Sequence, residues 1–216
     1  IKETLRRLTK LSTYIDHSLF RDNESIWIAQ KEGRANDGND FSDVAVLKML
    51  YLCKRKELSF SEWVKKINFI PVSISYEYDP LDITKASGWD LQEEMSLEEI
   101  NESDLHELAT GLFSNKGRVH LHICEPVNYE GNDIEELSRM IEHEILLNYK
   151  IWPTSHIAAK ELSNEGYDFN IFDENLIDSN QETKFLNRFN GIEEHIRKEC
   201  LETYVRPMVN KKKARS

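Results

Sequence analysis

Three groups of residues have types and spacings that suit chemistry. The first is Lys31-Glu32-Gly33-Arg34. Gly33 has no side chain, so backbone N–H groups beside it can come close to an anion. Lys31 and Arg34 add positive charge, and a helix beginning near Ser42 adds the positive end of its dipole. These features describe a cradle for a phosphate or a carboxylate. The plainer reading is a Gly/Asn/Asp-rich turn with solvated charges. A calcium loop over Asp37 to Lys48 fails, because Lys48 stands where the bidentate glutamate belongs. The second group is His17 and Asp22, a His-x4-Asp spacing that can pair a general base with the carboxylate that orients it. The third is His120, His122 and Cys124, which share one face of an alternating segment and are metal-ligand types. No paired cysteine or second histidine cluster follows at a standard spacing, so this set reads as a strand face covered by polar neighbours, with no metal.

The elements that must position these residues follow from periodicity. Ile26 to Ala29 reads as a strand, residues 30–40 as a charged turn, and Ser42 onward as a helix with Val44, Leu47 and Tyr51 on its apolar face. Ser59-x-x-Glu62 is a capping box for a second short helix through Lys66, and Phe69 to Glu77 is a second strand. Strand, loop, helix, strand makes a βαβ unit, in which ligands bind beyond the carboxyl ends of the strands. Upstream, Leu5, Leu8, Leu11 and Ile15 predict a helix over Lys2 to Ile15. Downstream, a turn at Tyr78-Asp79-Pro80 leads to a polar stretch and then to an acidic helix from Ser96 to about Phe113, read as a solvated face. Arg118 to Cys124 is a strand, and Asp133 to Asn148 an amphipathic helix. Another helix runs from Trp152-Pro153 to near Gly166. Residues 167–181 read as loop, and Glu182 to Val205 as a last helix, with an interruption at Gly191. The fold class expected is α/β, a central mixed sheet flanked by helices.

The bulk numbers narrow the function. At 216 residues the chain fits one domain with an extension, divided here as 1–166 and 167–216. A formal net charge of −11 argues against a general nucleic-acid binder. Basic residues still cluster locally: Lys2, Arg6, Arg7 and Lys10 at one end, and Lys211, Lys212, Lys213 and Arg215 in what reads as a solvated tail. Cys53, Cys124 and Cys200 are odd in number and widely spaced, which points to a reducing compartment. No apolar run reaches the length of a membrane span, and no signal peptide opens the chain. Because Ile1 already leads into an amphipathic helix, the chain is expected to be part of a longer protein.

Glu32-Gly33-Arg34, followed by Phe69-Ile-Pro-Val-Ser-Ile-Ser-Tyr-Glu77, resembles the third and fourth blocks of the glycerolipid acyltransferase family, the glycerol-3-phosphate and 1-acylglycerol-3-phosphate acyltransferases. Arg118 to Pro126 resembles that family's later strand, here ending in Glu125-Pro126. The likeness covers most of residues 20 to 165. It implies that a histidine takes the proton of a glycerol hydroxyl while an aspartate orients its ring. The alkoxide then attacks an acyl thioester carried on coenzyme A or acyl carrier protein. It also implies substrate-binding roles for Lys31, Glu32, Gly33 and Arg34 at the acceptor phosphate and for Pro71 near the donor, with no metal or bound cofactor. Contact with the cytoplasmic face of a membrane would be peripheral. In the family the third block usually reads Phe-Pro-Glu-Gly-Thr-Arg-Ser, so Arg34 stands one place early. The family's His-x4-Asp lies well upstream of the Glu-Gly block, whereas His17 and Asp22 sit almost against the first strand. They are therefore read as a match of spacing only, with the catalytic pair expected before Ile1 and the chain alone expected to be inactive. Two rivals remain: an acyltransferase for another lipid or an amine, and a non-catalytic module that binds lipid or acyl carrier.

Overall fold

The structure, a computed structural model, describes residues 2–31, 37–39, 41–88, 105 and 108–216. In chain order its helices are α1 (Lys2–Phe20), α2 (Val44–Tyr51), α3 (Phe60–Lys66), α4 (Asp82–Gly88), α5 (108–113), α6 (Ile134–Asn148), α7 (Pro153–Asn164), α8 (Ser179–Leu186) and α9 (Glu194–Arg215). The strands are β1 (Val72–Tyr76) and β2 (Val119–Ile123). Among the described residues helix dominates and the sheet has two antiparallel strands. The chain divides into two compact units.

The first unit comprises residues 1–34, 41–72 and 123–145. Its core is Ile15 of α1, Leu47 and Leu50 of α2, Phe60, Trp63 and Val64 of α3, Tyr129, and Leu137, Ile141 and Ile145 of α6. Trp63 stacks obliquely on Tyr51 at 5.1 Å and meets Phe69 edge-on at 5.6 Å, contacts that suit aromatic quadrupoles. The capping box forms as the sequence predicts. Ser59 Oγ accepts from Glu62 N, and the Glu62 carboxylate accepts from Ser59 N at 2.8 Å. α2 begins one residue later than expected, with Asp43, not Ser42, as its N-cap. The first apolar run departs further. Ile26, Trp27 and Ile28 form no strand and are exposed, Trp27 at 67%. A strand's backbone groups need a neighbouring strand, and among the described residues nothing pairs with this run. Among the described residues there is thus no parallel βαβ unit, and Phe69 to Glu77 pairs instead with the chain after residue 115. In this unit Cys124 N donates to Pro71 O at 2.9 Å and Val127 N to Phe69 O at 2.8 Å.

The second unit comprises residues 35–40, 73–122 and 146–216. Ile157, Ala158, Ala159 and Leu162 of α7 pack on Phe185 of α8, Phe189, and Leu201, Tyr204 and Val205 of α9. This core joins helices on both sides of residue 166. Gly191, at φ 78°, separates α8 from α9, at the interruption read there from sequence. The basic tail is helical to Arg215, and Lys211 Nζ donates to Tyr149 O at 2.7 Å. At this end of the sheet Glu77 N donates to Arg118 O and Tyr78 N to Lys116 O. The inward face of β1 is Ser73 and Ser75, each 1% exposed, while Tyr76, Val119 and Leu121 face solvent. This register follows Glu77, which continues the serine face and is held inside by charged and polar partners.

Candidate functional site

The end of α1 brings His17 and Asp22 together. Arg21 N and Asp22 N both donate to His17 O, at 2.8 and 3.2 Å, and Asn23 takes a left-handed φ of 56°. This tight reversal carries the Asp22 carboxylate back to the ring, with Oδ2 3.2 Å from Nδ1. A carboxylate on Nδ1 fixes the tautomer that leaves Nε2 as the proton acceptor. His17 also lines an open groove of about 750 Å³ along α1, with Lys2, Arg6, Lys10 and Tyr14 among its walls. Both members of the pair are more than half or half exposed, so water screens their attraction. The arrangement can orient a base and offer cations to an anionic ligand, but one helix face alone does not exclude water.

Residues on either side of 32–36 are each held within their own unit. Lys31 is exposed, and Glu32, Gly33 and Arg34 lie outside the described residues. In the first unit Gln30 O accepts from Asp43 N at 2.9 Å, the Gln30 side chain bonds Ser42 Oγ, and Ser42 N donates to Glu142 at 2.7 Å. In the second unit residues 37–39 lie on α9. Arg206 Nη1 donates to Asp37 O at 2.6 Å, and Asn210 Nδ2 donates to Asn39 Oδ1 at 3.0 Å. Gly38 has φ 77°, and a Cβ there would collide with the Thr203 carbonyl oxygen. That carbonyl lies four residues before Pro207, which has no N–H to donate to it. Burial raises the Asp37 carboxyl, but hydrogen bonds from Asn39 and the Arg206 charge outweigh it and hold the group below the ordinary range.

Pro71 is buried immediately before β1. Its carbonyl enters the ladder, and its lack of an N–H does no harm at the first residue beside a strand. Glu77, which closes the same block, is the hub of the second unit's polar interior. Its Oε2 accepts from Arg118 N and Nε, both at 2.9 Å, and its Oε1 accepts from Arg118 Nη2 at 2.9 Å and Gln181 Nε2 at 2.7 Å. Thr154 Oγ1 donates to Glu77 O at 2.7 Å. The Arg118 hydrogen bonds outweigh burial and keep this carboxyl below its usual range. A carboxylate so saturated with donors is a positioning group and not a base. Arg118 in turn lies over the Trp152 ring at 5.0 Å. Gly117, at φ 63°, is required here, since a Cβ would crowd both the Tyr78 ring and the Glu77 carboxylate.

His120 and His122 stack with ring centroids 6.2 Å apart. Among the described residues no group of three or more His, Cys, Asp or Glu side chains is placed to hold a metal. A further cluster was not read from the sequence. Asp82 accepts from Tyr204 Oη at 2.8 Å and from Arg188 Nη2 at 2.6 Å, while Tyr204 Oη accepts from Asp79 N at 2.8 Å. Burial pushes Asp82 above the ordinary carboxyl range against the pull of Arg188. These partners, like Arg206 and Asn210, come from α8–α9 and lie more than a hundred residues from the groups they hold. The one local signal was a proline inside an otherwise helical pattern at 207. No protein-family model, curated protein or solved structure matches this chain.

Proposed function

We propose that the chain is part of an acyltransferase that moves a fatty acyl group from a thioester of coenzyme A or acyl carrier protein to the hydroxyl of a phosphorylated glycerol. The observation that carries this reading is the pairing of two stretches. Phe69 to Glu77, with the family's fourth-block sequence, lies beside Arg118 to Pro126, with its later-strand sequence, and Pro71 O and Cys124 N join them. The reading takes β1 and β2 as members of a central mixed sheet flanked by helices. Lys31, Glu32, Gly33 and Arg34 hold the acceptor phosphate, and Pro71 shapes the wall near the donor. In the reaction the acceptor oxygen forms the new ester bond as the thioester C–S bond breaks. The thiolate leaves with the proton that the histidine removed from the hydroxyl, and polar groups stabilise the tetrahedral oxyanion between. The protein works peripherally at the cytoplasmic face of a membrane. No helix among the described residues is long and apolar enough to cross one.

One observation favours a second reading, in which this chain carries the base itself: His17 and Asp22 are in hydrogen-bond contact and border a groove with cationic walls. Binding of glycerol 3-phosphate by calorimetry, and turnover with long-chain acyl-coenzyme A, test both. Acceptor binding that weakens at least tenfold in Arg34→Ala, and that is absent for glycerol, supports the phosphate cradle. Equal binding of glycerol and glycerol 3-phosphate refutes it. Turnover by the chain alone that disappears in His17→Ala assigns the base to His17; no turnover places the base outside this chain.

A further inference from the structure

The outer edge of β2 lacks the devices that keep a strand to itself. Glu77 N donates to Arg118 O and Cys124 N to Pro71 O, both at 2.9 Å, which fixes the register of β1 on β2. Antiparallel alternation then points the N–H and C=O groups of Val119, Leu121 and Ile123 away from β1. Among the described residues β1 is the one strand beside β2, so these groups meet no ladder on that side. The three residues are 53%, 53% and 64% exposed. Edge strands are commonly guarded by lysine, proline or a bulge. Val119 to Ile123 holds no lysine or proline, and it pairs with β1 in one unbroken register. The strand also reads alike in both directions, Val-His-Leu-His-Ile, with β-branched ends and a leucine at the centre.

We infer that β2 pairs with β2 of a second copy, antiparallel across a two-fold axis through Leu121. In that register Val119 faces the partner's Ile123, and Leu121 faces the partner's Leu121. Each such pair exchanges N–H and C=O groups in both directions. Two observations choose a second copy as the occupant. The first is the pattern of the strand, which is self-complementary, as a closed two-fold contact requires. Apolar side chains meet apolar ones across the axis, and no charge within the strand opposes them. The second is the charge at its two ends. Lys116 and Arg118 precede the strand and Glu125 follows it. Antiparallel pairing brings the cationic end of one copy to the acidic end of the other, whereas parallel pairing sets like beside like. The contact uses one strand edge and is independent of the proposed acyl transfer.

Hydrogen exchange and sedimentation equilibrium of the full chain test this. The Leu121 amide should exchange roughly tenfold more slowly at about 1 mM chain than at about 10 μM, as the dimer forms. Val119→Lys with Ile123→Lys sets lysine against lysine in both outer pairs and should weaken the dimer roughly tenfold or more. Val119→Lys with Ile123→Glu sets lysine against glutamate and should keep the affinity within about threefold. Circular dichroism checks that each variant keeps the fold, and the amide measurement on the unmodified chain decides the matter where a variant does not. A monomer at every concentration refutes the inference, as does a Leu121 amide whose exchange ignores concentration. A dimer that treats the two double variants alike refutes the pairing through β2. Assembly that grows beyond a dimer refutes the closed two-fold contact.

Discussion

Tyr204→Phe removes one hydroxyl from the second unit and nothing else. The ring's edge-on contact with Phe185, centroids 4.9 Å apart, is kept. What vanishes is the donor to Asp82 Oδ2 and the acceptor for Asp79 N, each at 2.8 Å. Asp82 is 4% exposed, so water does not replace the lost donor. A hydrogen bond to a charged group contributes about 1.5–3 kcal/mol and a neutral one about 1 kcal/mol, so the variant should lose about 2–4 kcal/mol. With a urea slope of about 2 kcal/mol per molar, the unfolding midpoint falls by roughly 1–2 M.

The pH dependence makes the test sharper. Burial raises the Asp82 carboxyl, while Arg188 and the Tyr204 hydroxyl pull it down. Losing the hydroxyl lets it rise further. A carboxyl raised in the folded state costs stability when ionised, and that cost grows as pH climbs from the unfolded value of about 3.9 through the folded one. The deficit of Tyr204→Phe should therefore be larger at pH 7 than at pH 4. A midpoint change under about 0.3 M urea, or a deficit that does not shrink at pH 4, would refute the assignment of Tyr204 as the support of a buried charge.

Glu77 gives the opposite slope. Its carboxyl is held low chiefly by Arg118, so its contribution is present above the unfolded value of about 4.3 and is lost as pH falls through the lower folded value. Glu77→Gln should flatten the acid limb of a stability-against-pH curve measured by urea unfolding between pH 2.5 and 6; an unchanged limb argues against the hub. Gly38→Ala should free the loop from α9, since a left-handed alanine costs about 1–2 kcal/mol before any clash with Thr203. Hydrogen exchange at residues 37–39 should rise at least tenfold, and unchanged protection there would remove the anchoring argument.

Much of the helical architecture was legible because its signals are local. The Ser59–Glu62 box, the proline opening α7 and the apolar spacing of α6 act within a turn or two, and all three helices form where read. Strands were legible only as segments. Val72 to Tyr76 alternates cleanly, yet alternation does not say which face turns inward. Here the serines do, because Glu77 in the same register finds Arg118 and Gln181. Ile26 to Ala29 has strand composition and no strand, because β structure is a property of pairs and a lone apolar run cannot supply its own neighbour.

The site divides along the same line. His17 and Asp22 were found by spacing, and a short helix end delivers the contact because only four residues intervene. The hold on residues 37–39 was invisible, because it is a long-range arrangement. Arg206 reaches Asp37 across 169 residues, and Gly38 fits against the Thr203 carbonyl, four residues before Pro207. Neither residue has meaning in its own neighbourhood. The proline looks like a defect in α9 and the glycine like an ordinary turn residue, and each explains the other only when placed together.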